Sequence, residues 1–448
     1  MNRLKSLSQI VTVFLCFGVM VSLPVQAQQT LSLEDAIRLG MEKNFAIRIA
    51  ENNARIADNN ASIGNAGFLP VVTADGSINE RIEDNTTVYG SPSIPDRNDE
   101  GARTTVYNYG IDATWTLFDG LTMFAAFDRL AAQKEISEVQ ARQQVELVLA
   151  DIITGYYEIA GQQKAAAVLD STVKISEERI RIAESAWDIG SGSEYDLLLA
   201  RGDYNADRAA LIRSQTSLSQ LKIVLTSVLG DLPSYDFAVN PEIEMAELLE
   251  LDALIDDALA QNRQLTIARL TERSAQAEIR EVRGEWFPEV SVSGGYGYQR
   301  TEASAGFAEF SETDGFSYGV TARLNLFDGL NKNRRMQNAQ ITAKNEQLRI
   351  EELQLQITAE VSRVYAQYLD ARSLIELEQE NLDINKETVD IALERYRLGT
   401  ISAIELREAQ QSLLDAENRL IDAQIQAKAA ETELLRLSGR LLSEEMED

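Results

Sequence analysis

The stretch YNYGIDATWTLFDGL at residues 107–121 recurs as FSYGVTARLNLFDGL at residues 316–330, 209 positions further along the chain. Upstream, the offset is 218, since Asn44 matches Asn262. The nine-residue difference falls between the two predicted strands of each repeat, where a surface loop changes length at little cost. The chain is therefore an internal duplication, and one copy of such a repeat does not bury its own apolar face. The offset of 209 continues through two later pairs: Gly190 with Gly399 and Gly230 with Gly439.

Four segments alternate apolar and polar residues with a period of two, which places the two kinds of residue on opposite faces of a strand. Segments of about ten residues with aromatics near their ends are typical of transmembrane barrel strands. A half-buried sheet in a soluble protein alternates in the same way, but the strongly polar second face and an export signal at the N-terminus favour the membrane. The predicted lipid-facing aromatics are Tyr107, Tyr109, Trp115, Tyr296, Tyr298, Phe316 and Tyr318.

Four strands do not close a barrel, and an open edge is excluded in lipid because its N–H and C=O groups find no water there. Several chains must therefore share one sheet. Two chains would give eight strands and an interior filled by side chains, whereas three would give twelve strands and leave a lumen. The small polar residues of the inward face favour three. The connections within the strand pairs, about residues 83–102 and 302–314, should then lie outside the membrane.

Residues 1–27 are predicted to be the export signal. Two basic residues precede the apolar run 10–23, and Val25-Gln26-Ala27 fits a cleavage site. A transmembrane anchor is the alternative, but about 14 apolar residues fall short of the roughly 20 that a spanning helix needs. Cys16 follows a leucine, so it does not fit a lipid-modification site, which has a small residue just before the cysteine.

The composition argues against an enzyme. The chain contains no histidine, and its single cysteine lies in the predicted signal. These absences exclude cysteine nucleophiles, thiolate or imidazole metal sites and histidine triads. The glycine-rich run 294–297 lies in a strand pattern, so it is a poor phosphate loop. We expect no catalytic, cofactor-binding or metal-binding residue. The formal charge of −29, or −31 without the two cations of the signal, argues against a nucleic-acid partner.

Two segments, residues 121–187 and 330–398, contain no proline and few glycines, so each is predicted to be one helix of roughly 100 Å. Each turns back at a glycine and returns over about half that length. Residues 33–67 and 251–285 would supply the other half, stacked end to end on the returning helices. In the second long helix, steps of three and four predict a packing seam: Ile350, Leu353, Ile357, Val361, Val364, Tyr368, Ala371 and Ile375.

The breaks between the short helices should lie at mid-height, beside a proline-containing linker and the start of the mature chain. The predicted division of the chain is a first structural repeat at 28–230, an equatorial linker at 231–248, a second structural repeat at 249–439 and an acidic C-terminal tail at 440–448.

The chain resembles the TolC-type outer membrane efflux proteins over essentially all of its mature length. The resemblance rests on the duplication and on four motifs: Phe68-Leu69-Pro70 and Trp286-Phe287-Pro288 before a strand, the repeated LFDGL, and Tyr396-Arg397-Leu398-Gly399-Thr400 with a later Glu405-Leu406. It implies a mixed α and transmembrane β fold, in which a homotrimer forms a 12-stranded β-barrel in the bacterial outer membrane. A long α-helical coiled-coil barrel continues this barrel through the periplasm.

The resemblance also implies a function and partners. The protein would be a passive exit duct for small molecules, docked to a periplasmic adaptor (membrane fusion protein) and driven by an inner-membrane transporter. The hairpin tips implied to contact the adaptor are Ile189, Gly190, Ser191, Leu398, Gly399 and Thr400.

By the same resemblance, Asp196, Glu405 and Glu408 line the narrow periplasmic entrance. Glu405 and Glu408 are one helical turn apart and share a face, so threefold symmetry would stack two rings of carboxylates. Such confinement would raise some carboxylate pKa values and attract cations; ordinary surface acids are the alternative. Tyr396 could hydrogen-bond Asp196 on an adjacent hairpin and latch the entrance. Ile401 stands where some relatives carry a basic gate partner, so we expect closure to depend more on packing than on a salt-bridged gate.

Two other functions stay open at this point. The same architecture could serve as the outer membrane component of type I protein secretion, since nothing in the strands distinguishes the cargo. A soluble periplasmic coiled-coil scaffold or adaptor is an alternative of another class. It predicts a monomer or dimer in the soluble fraction, whereas the channel predicts detergent-dependent trimers.

Overall fold

A computed structural model describes residues 29–232, 234, 236–306 and 308–444. The predicted signal (1–27) and the last four residues of the predicted acidic tail lie outside the described residues. The helices are α1 (Leu33–Lys43), α2 (Phe45–Asn60), α3 (Thr122–Asp188), α4 (Glu194–Val228), α5 (Leu251–Gln261), α6 (Arg263–Gly284), α7 (Asn331–Arg397), α8 (Ala403–Ser438) and α9 (Leu441–Glu444). The strands are β1 (Gln29–Leu31), β2 (Val71–Thr87), β3 (Arg97–Phe118), β4 (Phe237–Val239), β5 (Glu289–Ala303) and β6 (Phe310–Arg323).

The four long strands form one antiparallel sheet in the order β2-β3-β5-β6, so β2 and β6 are its edges. The register aligns the predicted apolar faces. Tyr109 lies opposite Tyr298 with their rings stacked 4.5 Å apart between centroids, and Tyr296 lies opposite Phe316. Backbone pairing thus brings the period-two faces of all four segments onto two common surfaces, as predicted.

The strand ends differ from the sequence prediction. The first connection is only residues 88–96, because β2 and β3 stay paired out to Thr87 opposite Arg97. The second is only residues 304–309. Backbone pairing needs no apolar face, so the strands continue where both faces have become polar. At the other end, β6 stops at Arg323, although the alternation of apolar and polar residues continues to Leu326. Arg323 pairs with Glu289, the first residue of β5, and within the described residues β6 has no strand on its other side.

The helices form a layer that continues from the sheet. Helices α3 and α7 are each 67 residues long, as the duplication predicts. In the half nearest the sheet, the contacts run α2-α3-α6-α7, and in the far half they run α4-α3-α8-α7. The predicted seam of α7 is confirmed in its centre, where five residues are buried: Ile357, Val361, Val364, Tyr368 and Ala371.

The equatorial linker is less irregular than the sequence indicated. Strand β4 lies within it and pairs in parallel with β1, at the start of the described chain. The Tyr156 hydroxyl on α3 donates to the carbonyl of Leu31 and accepts from the amide of Asn240, both at 3.1 Å. These contacts fasten both segments to the middle of a long helix. The division into 28–230, 231–248 and 249–439 remains our proposal.

Two buried asparagines explain why the short helices stack end to end. The Asn44 side chain accepts from the amides of Ala46 and Ile47 at 2.8 and 3.1 Å, so it caps α2. Its amide also donates to the carbonyl of Val228 at the end of α4, at 2.6 Å. One side chain therefore satisfies the end of one helix and the start of the next. In the second repeat, Asn262 does the same for α6 and α8.

Replacing Asn44 or Asn262 with alanine should lower the free energy of unfolding by about 2 kcal/mol each, because a cap and a buried carbonyl lose their partner. Urea-induced unfolding measures this change. Asn53→Ala, at an exposed position of α2, is the matched control and should change stability by less than about 0.5 kcal/mol. Equal effects of Asn44→Ala and Asn53→Ala would contradict the role of Asn44 in joining the end of α4 to the start of α2.

Candidate functional site

The two helical hairpins end in turns of the same construction. Gly190 and Gly399 both have a positive φ, of 76° and 68°. The amide of Gly190 donates to the carbonyl of Trp187 at 2.9 Å, and that of Gly399 donates to the carbonyl of Tyr396 at 3.0 Å. Glycine adopts this left-handed backbone without strain and closes the helix. The tips present apolar side chains to solvent: Ile189 is 80% exposed and Leu398 is 76% exposed.

Two of the three predicted entrance acids belong to helix caps. Asp196 accepts a hydrogen bond from the Ser193 hydroxyl at 2.7 Å at the start of α4. Glu405 accepts from the Ser402 hydroxyl at 2.8 Å and from the Ser402 amide at 2.7 Å, which completes a capping box on α8. Glu408 is exposed one turn further along. The three acids therefore lie in the first two turns of the returning helices, near the tips.

Within one chain, the capping box favours the ionised form of Glu405. Hydrogen bonds from the Ser402 amide and hydroxyl favour the carboxylate and hold the pKa of Glu405 below its ordinary value. This shift is opposite to the rise expected from a ring of like charges. Because the folded pKa is the lower one, the box stabilises the hairpin above the ordinary pKa and loses this contribution as the pH falls. The ring of three copies remains a prediction.

Tyr396 is half-buried beside the first hairpin. Burial raises the pKa of its phenol, the nearby charge of Arg179 lowers it, and that of Asp196 raises it. The tyrosine thus lies within range of the acid with which it was predicted to pair. Among the described residues, however, no hydrogen bond joins the Tyr396 hydroxyl to Asp196. The latch between them remains a prediction.

A buried polar network joins the two hairpins about 16 Å from their tips, counted as eleven helical residues from Gly190 to Arg179. Arg179 on α3 is fully buried. Its guanidinium donates to Asp203 on α4 at 2.9 Å and to the side-chain oxygen of Gln410 on α8 at 3.4 Å. Asp207, one turn beyond Asp203 on α4, accepts two hydrogen bonds from Arg407 on α8, at 2.7 and 2.8 Å.

The sequence analysis missed this network, although its spacing is visible. Asp203 and Asp207 are four residues apart and share a face of α4, while Arg407 and Gln410 are three apart on α8. Arg179 and Asp203 lie at similar distances from the Gly190 turn, so an antiparallel hairpin places them side by side. The available signal was therefore the Arg179–Asp203 pair within one hairpin; Arg407 and Asp207 lie 8 and 17 residues from their own turns, so equal spacing does not pair them.

Near the β5–β6 connection, the face of the sheet that carries the aromatic row changes from apolar to charged residues. The Tyr296 hydroxyl donates to Asp314 at 2.8 Å, and the Tyr298 hydroxyl donates to Glu312 at 2.6 Å. At the opposite end, the Trp115 indole N–H donates to the carbonyl of Phe68 at 2.8 Å. Aromatic side chains with polar tips typically mark the borders of a membrane. The lipid-facing row remains a prediction.

The described residues contain no group of three or more acidic side chains placed to hold a metal ion. Within the same ranges, no helix combines the length and hydropathy that a membrane span requires.

Comparisons with known proteins agree on one family. The family model described as outer membrane efflux protein matches residues 37–231 and 254–440. Protein CyaE of Bordetella pertussis is 25% identical over 423 residues, which cover 93% of this chain and 86% of that protein. Outer membrane efflux protein BepC of Brucella suis is 18% identical over 426 residues, which cover 94% and 88%. The structure of the outer-membrane channel OprN matches with a TM-score of 0.73 at 19% identity, covering 91% of this chain and 89% of OprN.

The two matched ranges nearly coincide with the two proposed repeats and together include all the long helices and strands. The likeness to OprN shows that the fold is that of a channel in which strands and long helices are combined. The resemblance drawn from the repeated motifs is thereby confirmed. The chain belongs to the outer membrane efflux protein family.

Proposed function

We propose that three copies of this chain form the outer membrane channel of a tripartite efflux system for small molecules. The shared barrel spans the outer membrane, and the helical layer continues it into the periplasm as a passive duct. A periplasmic adaptor docks at the exposed tips, and an inner-membrane transporter supplies the energy. The similarity to BepC, an outer membrane efflux protein, supports efflux as the direction of transport. A passive duct needs no catalytic group.

The observation that carries this proposal is the pair of open edges in the sheet. Among the residues that the structure describes, strands β2 and β6 each have a neighbouring strand on one side only. In lipid, the free N–H and C=O groups of such an edge would be unsatisfied, so the edges of neighbouring copies must pair. Three copies contribute twelve strands, which enclose a lumen.

The helical layer has matching open edges. Helix α7 is the last helix on one side of the layer, whereas α2 and α4 are the last helices on the other side. Helix α7 carries exposed apolar residues at intervals close to seven or fourteen, as in the seam of a coiled coil: Ile341, Leu348, Leu355, Leu369, Leu377, Ile384 and Ile391. Exposed apolar residues on the opposite border are Phe45, Ile49 and Ile56 of α2 and Leu198, Ile212 and Val224 of α4. One copy's α7 therefore fits against α2 and α4 of the next.

Two measurements on the purified protein test the proposal. Its mass in detergent should be that of a trimer, and a planar bilayer should show discrete channels that prefer cations, as expected for an acidic entrance. A water-soluble monomer or dimer that conducts no current would overturn the proposal and favour the soluble scaffold.

Tyr396→Phe should raise the single-channel conductance, because the variant keeps the ring and removes the only group that could bond Asp196 of an adjacent hairpin. Tyr195→Phe is the matched control, since Tyr195 is exposed at the first tip and its hydroxyl lies outside the predicted latch. Unchanged conductance in Tyr396→Phe would remove the latch and leave closure to packing and to the Arg179 network.

A further inference from the structure

The chain contains one joint between its own repeats, and this joint is a template for the joint between copies. Inside the chain, β3 and α3 of the first repeat pack against β5 and α6 of the second. Elements β6 and α7 are the equivalents of β3 and α3, 209 residues later. Elements β2 and α2 are the equivalents of β5 and α6, 218 residues earlier. The element bounds follow these offsets: α3 begins at Thr122 and α7 at Asn331, and β2 begins at Val71 and β5 at Glu289.

We infer that β6 of one copy pairs with β2 of the next in the register of this internal joint, which places Arg323 opposite Asp75. Inside the chain, Thr114 lies opposite Ser293. Adding 209 to the first number and subtracting 218 from the second gives Arg323 and Asp75. This inference rests on the proposed trimer and adds the register and the contacts that hold its barrel together.

The charges on the two edges support this register. Asp75 lies on the polar face of β2 and Arg323 on the polar face of β6, so both face the lumen in a closed barrel. Neither residue forms an ion pair within the part of the chain that the structure describes. Arg323 has Glu289 as its cross-strand neighbour on β5, but the two do not form an ion pair either. The register thus brings an unpaired cation and an unpaired carboxylate together three times around the trimer.

The helices give a second, independent observation. At the internal joint, buried Glu146 on α3 accepts from Arg263 on α6 at 2.8 Å. The same offsets convert this pair into Leu355 on α7 and Phe45 on α2 of the next copy. Leu355 is 74% exposed and Phe45 is 64% exposed in a single chain. Where the internal joint has an ion pair, the joint between copies would therefore have two apolar side chains. Both are exposed in a single chain and would bury each other on assembly.

A second ion pair at the internal joint does not correspond to a favourable contact between copies. Glu135 and Arg273 form an exposed ion pair there, at 2.8 Å. The offsets convert them into Lys344 and Arg55, two like charges. Exposed charges interact weakly in water, so this pair opposes the register much less than the buried contacts favour it.

Disulfide trapping tests the register directly, since the only cysteine lies in the predicted signal. The template pair is Asp112 opposite Gly295, which becomes Thr321 opposite Ser77 of the next copy. Oxidation of the variant Ser77→Cys with Thr321→Cys should therefore give covalent trimers on a non-reducing denaturing gel. Directly opposite residues lie within disulfide reach. The control pairs Ser77→Cys with Gly319→Cys and Ser77→Cys with Arg323→Cys, shifted by two residues, should stay unlinked.

Preferential linking of a shifted control would overturn the register. So would the absence of any link in a protein that still has the mass of a trimer in detergent. Loss of the trimer from the unsubstituted protein would instead contradict the proposed function, so the two failures are distinguishable.

Charge exchange tests the ion pair. Asp75→Arg alone and Arg323→Asp alone should each speed dissociation of the trimer in detergent by about tenfold or more, the effect of losing one hydrogen bond to a charged group. The double variant should recover most of the loss. Asp112→Asn, on the same face of the sheet, is the control and should dissociate at the parent rate. Failure of the double variant to recover would contradict the pairing.

Discussion

Replacing Arg179 with methionine should destabilise the contact between the two hairpins by about 3 kcal/mol and raise the single-channel conductance. Removing one partner of a buried ion pair costs about 3–5 kcal/mol, because the remaining charge is left alone. The lower value applies here, since Asp203 is partly exposed. Arg179 also touches the second hairpin through Gln410, so its loss frees the returning helices to separate near the entrance. Hydrogen exchange in α4 and α8, together with conductance in a planar bilayer, measures both effects.

Two companion variants separate the network from the general cost of losing a cation. Arg181→Met removes a guanidinium two residues away that is exposed and pairs with Glu178 on its own helix, so it should cost less than about 1 kcal/mol. Arg179→Met with Asp203→Leu removes both charges and should recover part of the stability, since no lone charge remains. If Arg179→Met and Arg181→Met behave alike, the buried network does not hold the hairpins together.

The sequence predicts the long elements well because the duplication constrains them twice. The 209-residue offset relates the first residues of α3 and α7 and also their last residues, Asp188 and Arg397. Proline-free runs and steps of three and four then identify the helices without reference to any partner. The strand ends were predicted less well. Alternation marks a strand only while one face is apolar, whereas backbone pairing continues through polar residues as far as Thr87 and Ala303.

Polar contacts other than those within one hairpin could not be predicted, because their partners are distant in sequence. Asn44 was visible only as a match to Asn262, and its role appears when the end of α4, 184 residues away, lies beside it. Asp207 is one of 71 acidic residues. It becomes distinct only because α8, which carries Arg407, packs within reach of α4. Periodicity shows which face of a helix is buried, but not which other helix covers it.

Gly120→Ala should cost about 3 kcal/mol or more, the second large effect we expect. Gly120 has a φ of 74° where β3 turns into α3. A Cβ there would lie 2.2 Å from the carbonyl oxygen of Gly284 and 2.8 Å from the Cβ of Phe287. The left-handed backbone costs alanine roughly 1 kcal/mol, and overpacking against backbone adds about 1–3 kcal/mol or more. Gly190 has a φ of 76° but open space around it. Gly190→Ala should therefore cost only the roughly 1 kcal/mol of the left-handed backbone. Thermal unfolding of the assembled protein measures both variants.

Gly329 makes the same experiment informative about assembly. It is the equivalent of Gly120 in the second repeat, with a φ of 70°, but in a single chain a Cβ there would meet nothing closer than the Asn331 amide at 3.7 Å. If the neighbouring copy docks in the register of the internal joint, its α2–β2 connection covers Gly329 as Gly284 and Phe287 cover Gly120. Gly329→Ala should then destabilise the trimer as strongly as Gly120→Ala does. A cost equal to that of Gly190→Ala would mean that the next copy does not approach this edge as the internal joint predicts.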